Sequence, residues 1–470
     1  MIVIIVGAGI AGLACSIALA QHRNIEVTIF ERATELVEVC DSTTQVTMIL
    51  RQSQSGYGIQ LPCNATNALR SLDLLEAVIE RAGDPAIAAL FMNHGNYTPS
   101  LTRDLKACKS LYGSPWLLSH HADFIRVLYD EALSRGVQVK FGCDVASVDF
   151  DALQVELGSG EIHGADVIVG SDGIHSTIRS GLHSTHRPSC TGLYARRAIL
   201  NKAQLTSRNL TRLLNPGVCF FWLGPTTQIS FCPLRAGDEF DLVVVSSVPK
   251  SNDSVDGAGL RDQLREDVHG WDPAVRELLD AVEIVSSLPL LELADLPSWG
   301  KDSVVMIGDA IHPTLPHLGQ GAAMCIEDGL ILGTLLGGFA DHPILGQPHA
   351  LSAIIPRVLR SFEEMRRGRT TNIISQSRVA STYSRVPRSI VHGTASMASR
   401  VLGERICSSA WPPANSVWDE ELHGYIAEDV AKSALSRLAG HFLHEIEHGA
   451  HHMVEFARTS RWTGSRGGTS

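Results

Sequence analysis

The run IVIIV followed at once by GAGIAG, spanning Ile2 to Gly12, constrains this 470-residue chain more than any other feature. Five consecutive Ile and Val residues suit a parallel strand buried on both faces. The three glycines then demand a particular backbone path. Gly7 permits the tight turn after the strand, Gly9 lets backbone approach a pyrophosphate, and Gly12 lets helix and sheet pack closely. The helix that follows, LACSIALAQH, points its free N-terminal N–H groups at the phosphates. A second strand, EVTIFER, ends at Glu31, where a carboxylate can accept hydrogen bonds from an adenosine ribose. The predicted unit is a dinucleotide phosphate cradle. A secretory signal would need a basic segment ahead of the apolar run, and none is present.

A second glycine motif lies about three hundred residues on. GDAIHPTLPHLGQG, Gly308 to Gly321, follows the apolar run SVVMI. Asp309 ends a strand and can accept hydrogen bonds from ribityl hydroxyls. Pro313 and Pro316 stiffen the loop, and Gly319 and Gly321 allow close backbone approach. A helix starting near Gln320 would aim its positive end at a flavin ring, favouring negative charge on the reduced form. Between the two motifs, VIVGSDGIHSTIR places Asp172 and Gly173 on a strand-to-loop turn, with Arg179 one or two helical turns later.

Composition narrows the partners. The formal charge is -11 and the acidic excess is spread along the chain, which argues against nucleic acid. Ten cysteines without CxxC pairs read as reduced, mostly buried thiols. The C-terminal region has no uninterrupted apolar run of membrane-spanning length, about 20 residues. A cytoplasmic protein with no transmembrane segment is expected, and a homodimer is left open. ADFIRVLYDEALSRG has helical periodicity and a glycine stop, whereas VQVKFG and ADVIVGSDG read as strands. From 182 to 298 short β-type runs such as VCFFWL, QISFCPL and FDLVVVSSV suggest a separate sheet. CIEDGLILGTLL reads as a helix, and the last eighty or so residues as helical and polar, broken by WPP near Trp411.

These motifs together resemble one family, the class A flavoprotein monooxygenases with the para-hydroxybenzoate hydroxylase fold, and more closely its salicylate hydroxylase-like members. The resemblance rests on GAGIAG with Glu31, GIQLPCNAT at Gly58 to Thr66, SDGIHSTIR, and GDAIHPTLPHLGQGAAMCIEDG, and covers roughly residues 1 to 380. It implies an α/β fold: a Rossmann-like FAD-binding domain (1–181 and 299–385), an inserted β-sheet substrate domain (182–298) and a helical C-terminal extension (386–470). It implies FAD as cofactor, NADH or NADPH as reductant, and dioxygen transferred through a flavin hydroperoxide to a phenolic or related aromatic substrate. Gly58 and the residue at position 121 then belong to the cofactor site. Pro316 and the 319–321 backbone flank the reactive edge of the ring. ARRAIL aligns with the family's "YRA" strand and puts Arg197 at its substrate-facing arginine. Strand alternation allows only one of Arg196 and Arg197 to face a cavity. Two other reaction types belong to related flavoproteins, isoprenoid epoxidation and halogenation, and the WxWxIP segment of halogenases is absent.

Three departures stand out. HHADF replaces the family's "HRADL", so His121, shorter and partly charged near neutral pH, stands where an arginine reaches the cofactor. Cys232 replaces the tyrosine of "YPL". Sixteen residues, Cys40 to Ser55, intervene before GIQL; they read as a gene-model artefact or a surface loop, and a disruptive insertion would leave an inactive flavoprotein. Lastly, HEIEH at His444 to His448 matches the zinc motif HExxH, which here reads as a solvated histidine-rich helix, with no metal site expected.

Overall fold

The structure, a computed structural model, describes residues 1–36, 57–93, 99–224, 226–247, 262, 264–282, 286–383 and 417–460. Cys40 to Ser55 and the Trp411 break lie outside these residues. Strand Ile2–Val6 sits inside a six-stranded sheet, between Val167–Gly170 and Glu26–Phe30 and parallel to both. Ile4 and Ile5 are paired on both sides and fully enclosed, which is why an unbroken Ile/Val run is tolerated there. Val304–Met306 and Gln138–Lys140 continue the sheet outward in parallel.

Helix Ile10–Leu19 covers this sheet and is itself crossed by helix Gly321–Ala340. Glycines make the crossing. Gly329, Gly333 and Gly337 recur every fourth residue and so share a helix face. A Cβ there would lie 2.5 Å from the Cys15 nitrogen, 2.3 Å from Ala18 Cβ and 1.9 Å from the His22 ring respectively. By length and hydropathy Gly321–Ala340 could cross a membrane, but 78% of its apolar window is buried, the position of a core helix.

A seven-stranded sheet forms the second layer, in the order 286–292, 189–201, 239–247, 227–234, 218–223, 88–93, 99–104. Alternation divides its faces. Leu242, Val244, Phe220 and Trp222 join the core under helix Pro273–Ala281, while Val243, Val245, Phe221 and Leu223 face a cavity. The sheet also draws on an earlier part of the chain. Strands Ala88–Asn93 and Pro99–Asp104 come from the segment assigned to the nucleotide domain, yet complete the edge of this sheet: Ala88–Asn93 pairs with Val218–Leu223, and Pro99–Asp104 pairs with Ala88–Asn93. The C-terminal extension contributes to the core as well. In helix Ala427–Ser460, Ala431, Ala434 and Phe442 are buried in the main core beside helix Gly321–Ala340. Leu435 is in reach of Gly338, where a Cβ would approach it to 2.3 Å.

Gly333→Val should destabilise the fold by about 1–3 kcal/mol or more through overpacking against Ala18. Gly440→Ala, at a helical position with open space around it, should be neutral or stabilising by up to about 1 kcal/mol. Urea unfolding measures both, and equal effects would mean the glycine face does not set the crossing.

Candidate active site

A cavity of about 580 Å³ opens beyond the carboxyl ends of Ile2–Val6 and Val167–Gly170 and is walled on the far side by the seven-stranded sheet. Open α/β sheets bind ligands at this end. Each glycine of the first motif does a different job. Gly7 has φ +102°, and a Cβ there would lie 2.5 Å from the Ser171 carbonyl oxygen. A Cβ on Gly12 would meet the Gly7 oxygen at 2.1 Å, so this glycine serves packing and does not line the cavity. A Cβ on Gly9 would meet nothing within 4 Å, and no side chain caps the helix that Gly9 starts. The uncapped N–H groups face the cavity, a cradle that fits a pyrophosphate. Glu31 borders the same space; its carboxylate accepts from the amides of Ala8 (2.7 Å) and Ala33 (2.9 Å).

The other cofactor positions expected from sequence mostly converge here. Gly58, His121, Asp172, Asp309, Gly319 and Gly321 all line the cavity, as do Pro316 and Arg197. Asp172 is engaged locally: its Oδ2 accepts from the Thr177 amide at 2.7 Å, and burial raises its carboxyl above the ordinary range. Gln320 is the exception. It is buried outside the lining, and its Oε1 accepts from Asn64 Nδ2 at 2.9 Å. His121 stacks on Tyr57 with centroids 4.4 Å apart. Burial, with Arg197 and His120 nearby, lowers its pKa to about 3. His121 is therefore neutral at physiological pH rather than partly charged, and supplies no cation in place of the arginine.

The choice between the two adjacent arginines is settled by the strand. Arg197 faces the cavity, 4.6 Å over the Tyr57 ring, with a hydrogen bond to the Gly58 oxygen at 3.3 Å. Arg196 faces the opposite side, buried, and donates to Ser246 Oγ at 2.5 Å. His317 of the second motif bonds Gln228 of the sheet at 2.8 Å and ties the two layers together. The HExxH glutamate is occupied elsewhere: Glu445 pairs with Arg357 at 2.6 Å, and no metal-binding cluster occurs among the described residues.

Sequence reasoning missed a buried charge cluster beneath the second motif. Asp328 accepts from the Gly308 amide (2.9 Å), His312 Nε2 (2.6 Å) and Arg366 Nε (2.8 Å). Glu327 pairs with Arg366 and Arg369, each at 2.7 Å, and accepts from Asn64 at 2.8 Å. Burial alone would raise Asp328; the His312 and Arg366 charges and the hydrogen bonds outweigh it and hold the carboxyl at about 2. The signal in the sequence was two adjacent acids inside an otherwise apolar helix, CIEDGLIL. Asp241 was missed too. It is buried, lines the cavity, and touches Gly58 so closely that a Cβ on Gly58 would meet its Oδ2 at 2.9 Å.

Comparison with known proteins agrees with this geometry. A family model described as "FAD binding domain" matches residues 1–341. The chain belongs to this family. FAD is therefore its cofactor. The flavoprotein is 29% identical over 445 residues to the FAD-dependent monooxygenase OpS4 of Beauveria bassiana, covering 92% of this chain and 97% of that one. It is 29% identical over 377 residues to 3-amino-4-hydroxybenzoate 2-monooxygenase of Streptomyces cremeus, covering 80% and 85% of the two chains. A salicylate hydroxylase substrate complex shares its fold, with TM-score 0.67 at 21% identity over 90% of this chain and 98% of that one.

Asp328→Ala should cost about 3–5 kcal/mol, because His312 would stay buried without its carboxylate and Arg366 would keep only Glu327. Flavin content should fall as well, because Gly308 loses its anchor. The carboxyl pKa is depressed, so its stabilisation is complete above about pH 4 and is lost as pH falls through about 2. Unfolding curves should show the wild type losing more stability than the variant across that window. A variant with wild-type stability and flavin content would show that the cluster does not hold the loop.

Proposed function

We propose that this flavoprotein is a monooxygenase that uses NADH or NADPH and dioxygen to hydroxylate a phenolic or related aromatic substrate. One observation carries the reading: a single cavity joins the FAD motifs to an apolar sheet wall at which Arg197 presents a cation. The FAD-dependent monooxygenases among its relatives support it.

Bound FAD, once reduced, supplies the activated oxygen; everything else falls to the chain. The helix N-terminus at Gly9 would hold the phosphates, and Glu31 would accept from the ribose. Asp309 would accept from the ribityl hydroxyls, and the backbone from Gly319 to Gly321 would support the ring. Pro316 and the sheet residues Phe221, Leu223, Val243 and Val245 exclude water from the reacting edge. Arg197 orients the substrate by donating to its ring oxygen. Cys232 lines this wall and brings a thiol in place of a phenolic hydroxyl. A charged group at the end of the wall suits a ring oxygen and speaks against isoprenoid epoxidation. The inactive-flavoprotein reading rests on Cys40 to Ser55, outside the described residues. A cytoplasmic enzyme, acting alone or as a homodimer, accords with this reading.

Asp309→Ala should weaken FAD retention by about 1.5–3 kcal/mol, read as flavin lost on dialysis; full occupancy would remove Asp309 from the site. Arg197→Met should keep its yellow colour but lose hydroxylated product, by about 2–5 kcal/mol in transition-state terms, and release hydrogen peroxide instead. Arg196→Met should lower stability rather than product yield. The reverse pattern, scored by product per NAD(P)H oxidised in a screen of aromatic compounds, would put the reaction on the other face of the strand.

A further inference from the structure

Arg197 is not the sole charge on the sheet wall. Among the described residues that the seven-stranded sheet contributes to the cavity, Arg197 and Asp241 are the two that are charged, and their signs are opposite. Asp241 stands one strand over from Arg197, with Arg197 opposite Val243 and Asp241 two residues earlier on that strand. From the preceding strand Asp241 faces Cys232, which brings no donor stronger than a thiol. One carboxylate oxygen of Asp241 has no hydrogen-bond partner. A buried carboxylate left partly unsatisfied is costly, and a ligand N–H or O–H would complete it.

We infer that Asp241 determines substrate class: the cavity takes a neutral ring bearing a hydroxyl or amino donor in preference to a ring carboxylate. This rests on the cavity being the substrate chamber of the proposed monooxygenase. The wall nets to zero charge. A carboxylate entering it would face Arg197 but also lie against Asp241, and like charges brought together in a dry site cost several kcal/mol. A phenol or aminophenol satisfies both residues at once, its oxygen toward Arg197 and its proton toward Asp241. Burial, only partly opposed by Arg197, lifts the Asp241 carboxyl to about 6, so it is ionised and accepting at neutral pH.

The test titrates the FAD-loaded enzyme with matched pairs: resorcinol against 3-hydroxybenzoate, 4-aminophenol against 4-hydroxybenzoate, and 1-naphthol against 1-hydroxy-2-naphthoate. Binding is read from the flavin absorbance. The wild type should bind the neutral member at least about tenfold more tightly. In Asp241→Asn the preference should shrink or reverse while flavin content holds. Tighter carboxylate binding by the wild type overturns the inference whether or not the variant folds. So does an unchanged preference in the variant, or flavin loss, which would put Asp241 against the cofactor. Failure of every aromatic pair to bind would overturn the substrate-chamber reading as well.

Discussion

Two carboxylates buried side by side in an apolar helix are the constraint on which the rest of this structure depends. Glu327 and Asp328 sit in helix Gly321–Ala340 with no solvent exposure. Charges buried in this way are tolerated only with good geometry and complete hydrogen bonding. The partners that satisfy them come from elsewhere: Arg366 and Arg369 from the long helix Pro348–Tyr383, Asn64 from the segment after Gly58, and Gly308 and His312 from the second motif. Satisfying the charges therefore fixes three segments against one helix. The loop that carries Asp309, Pro316 and Gly319 is stretched between these anchors.

The glycine face of the same helix sets its other side. Close approach of Gly329, Gly333 and Gly337 to helix Ile10–Leu19 brings the two FAD motifs together, although they are three hundred residues apart in the chain. The cavity lies between the motifs and the sheet. The contact between His317 and Gln228 joins the second glycine motif to the sheet. One end of the chamber is built from backbone N–H groups and glycines, which suits phosphates. The other is an apolar wall with one compensated cation, which suits a ring.

Local features were legible in the sequence. The Ile/Val run and the separate duties of Gly7, Gly9 and Gly12 follow from strand period and glycine sterics, whereas alternation said only that one of Arg196 and Arg197 faces a cavity, and the family resemblance pointed to Arg197. Features that depend on distant partners were not. The arginine partners of Glu327 and Asp328 lie about forty residues away, and nothing local names them. Strands Ala88–Asn93 and Pro99–Asp104 lack strong alternation and exist because Val218–Leu223 offers an edge. Gln320 was placed with the cofactor by its position between two glycines, yet its side chain turns to Asn64. Asp241 was within reach: an acid in FDLVVV, in phase with cavity-facing Val243, marks a charge on the ligand side of the strand.

The central claim is that one chamber brings an aromatic ring to a reduced flavin and dioxygen. The most direct measurement is turnover under isotopically labelled dioxygen, with mass analysis of the aromatic product. The account predicts one labelled oxygen atom per hydroxylated product. Product oxygen drawn from water, or NAD(P)H consumption that yields only labelled peroxide with every aromatic compound tried, would contradict it.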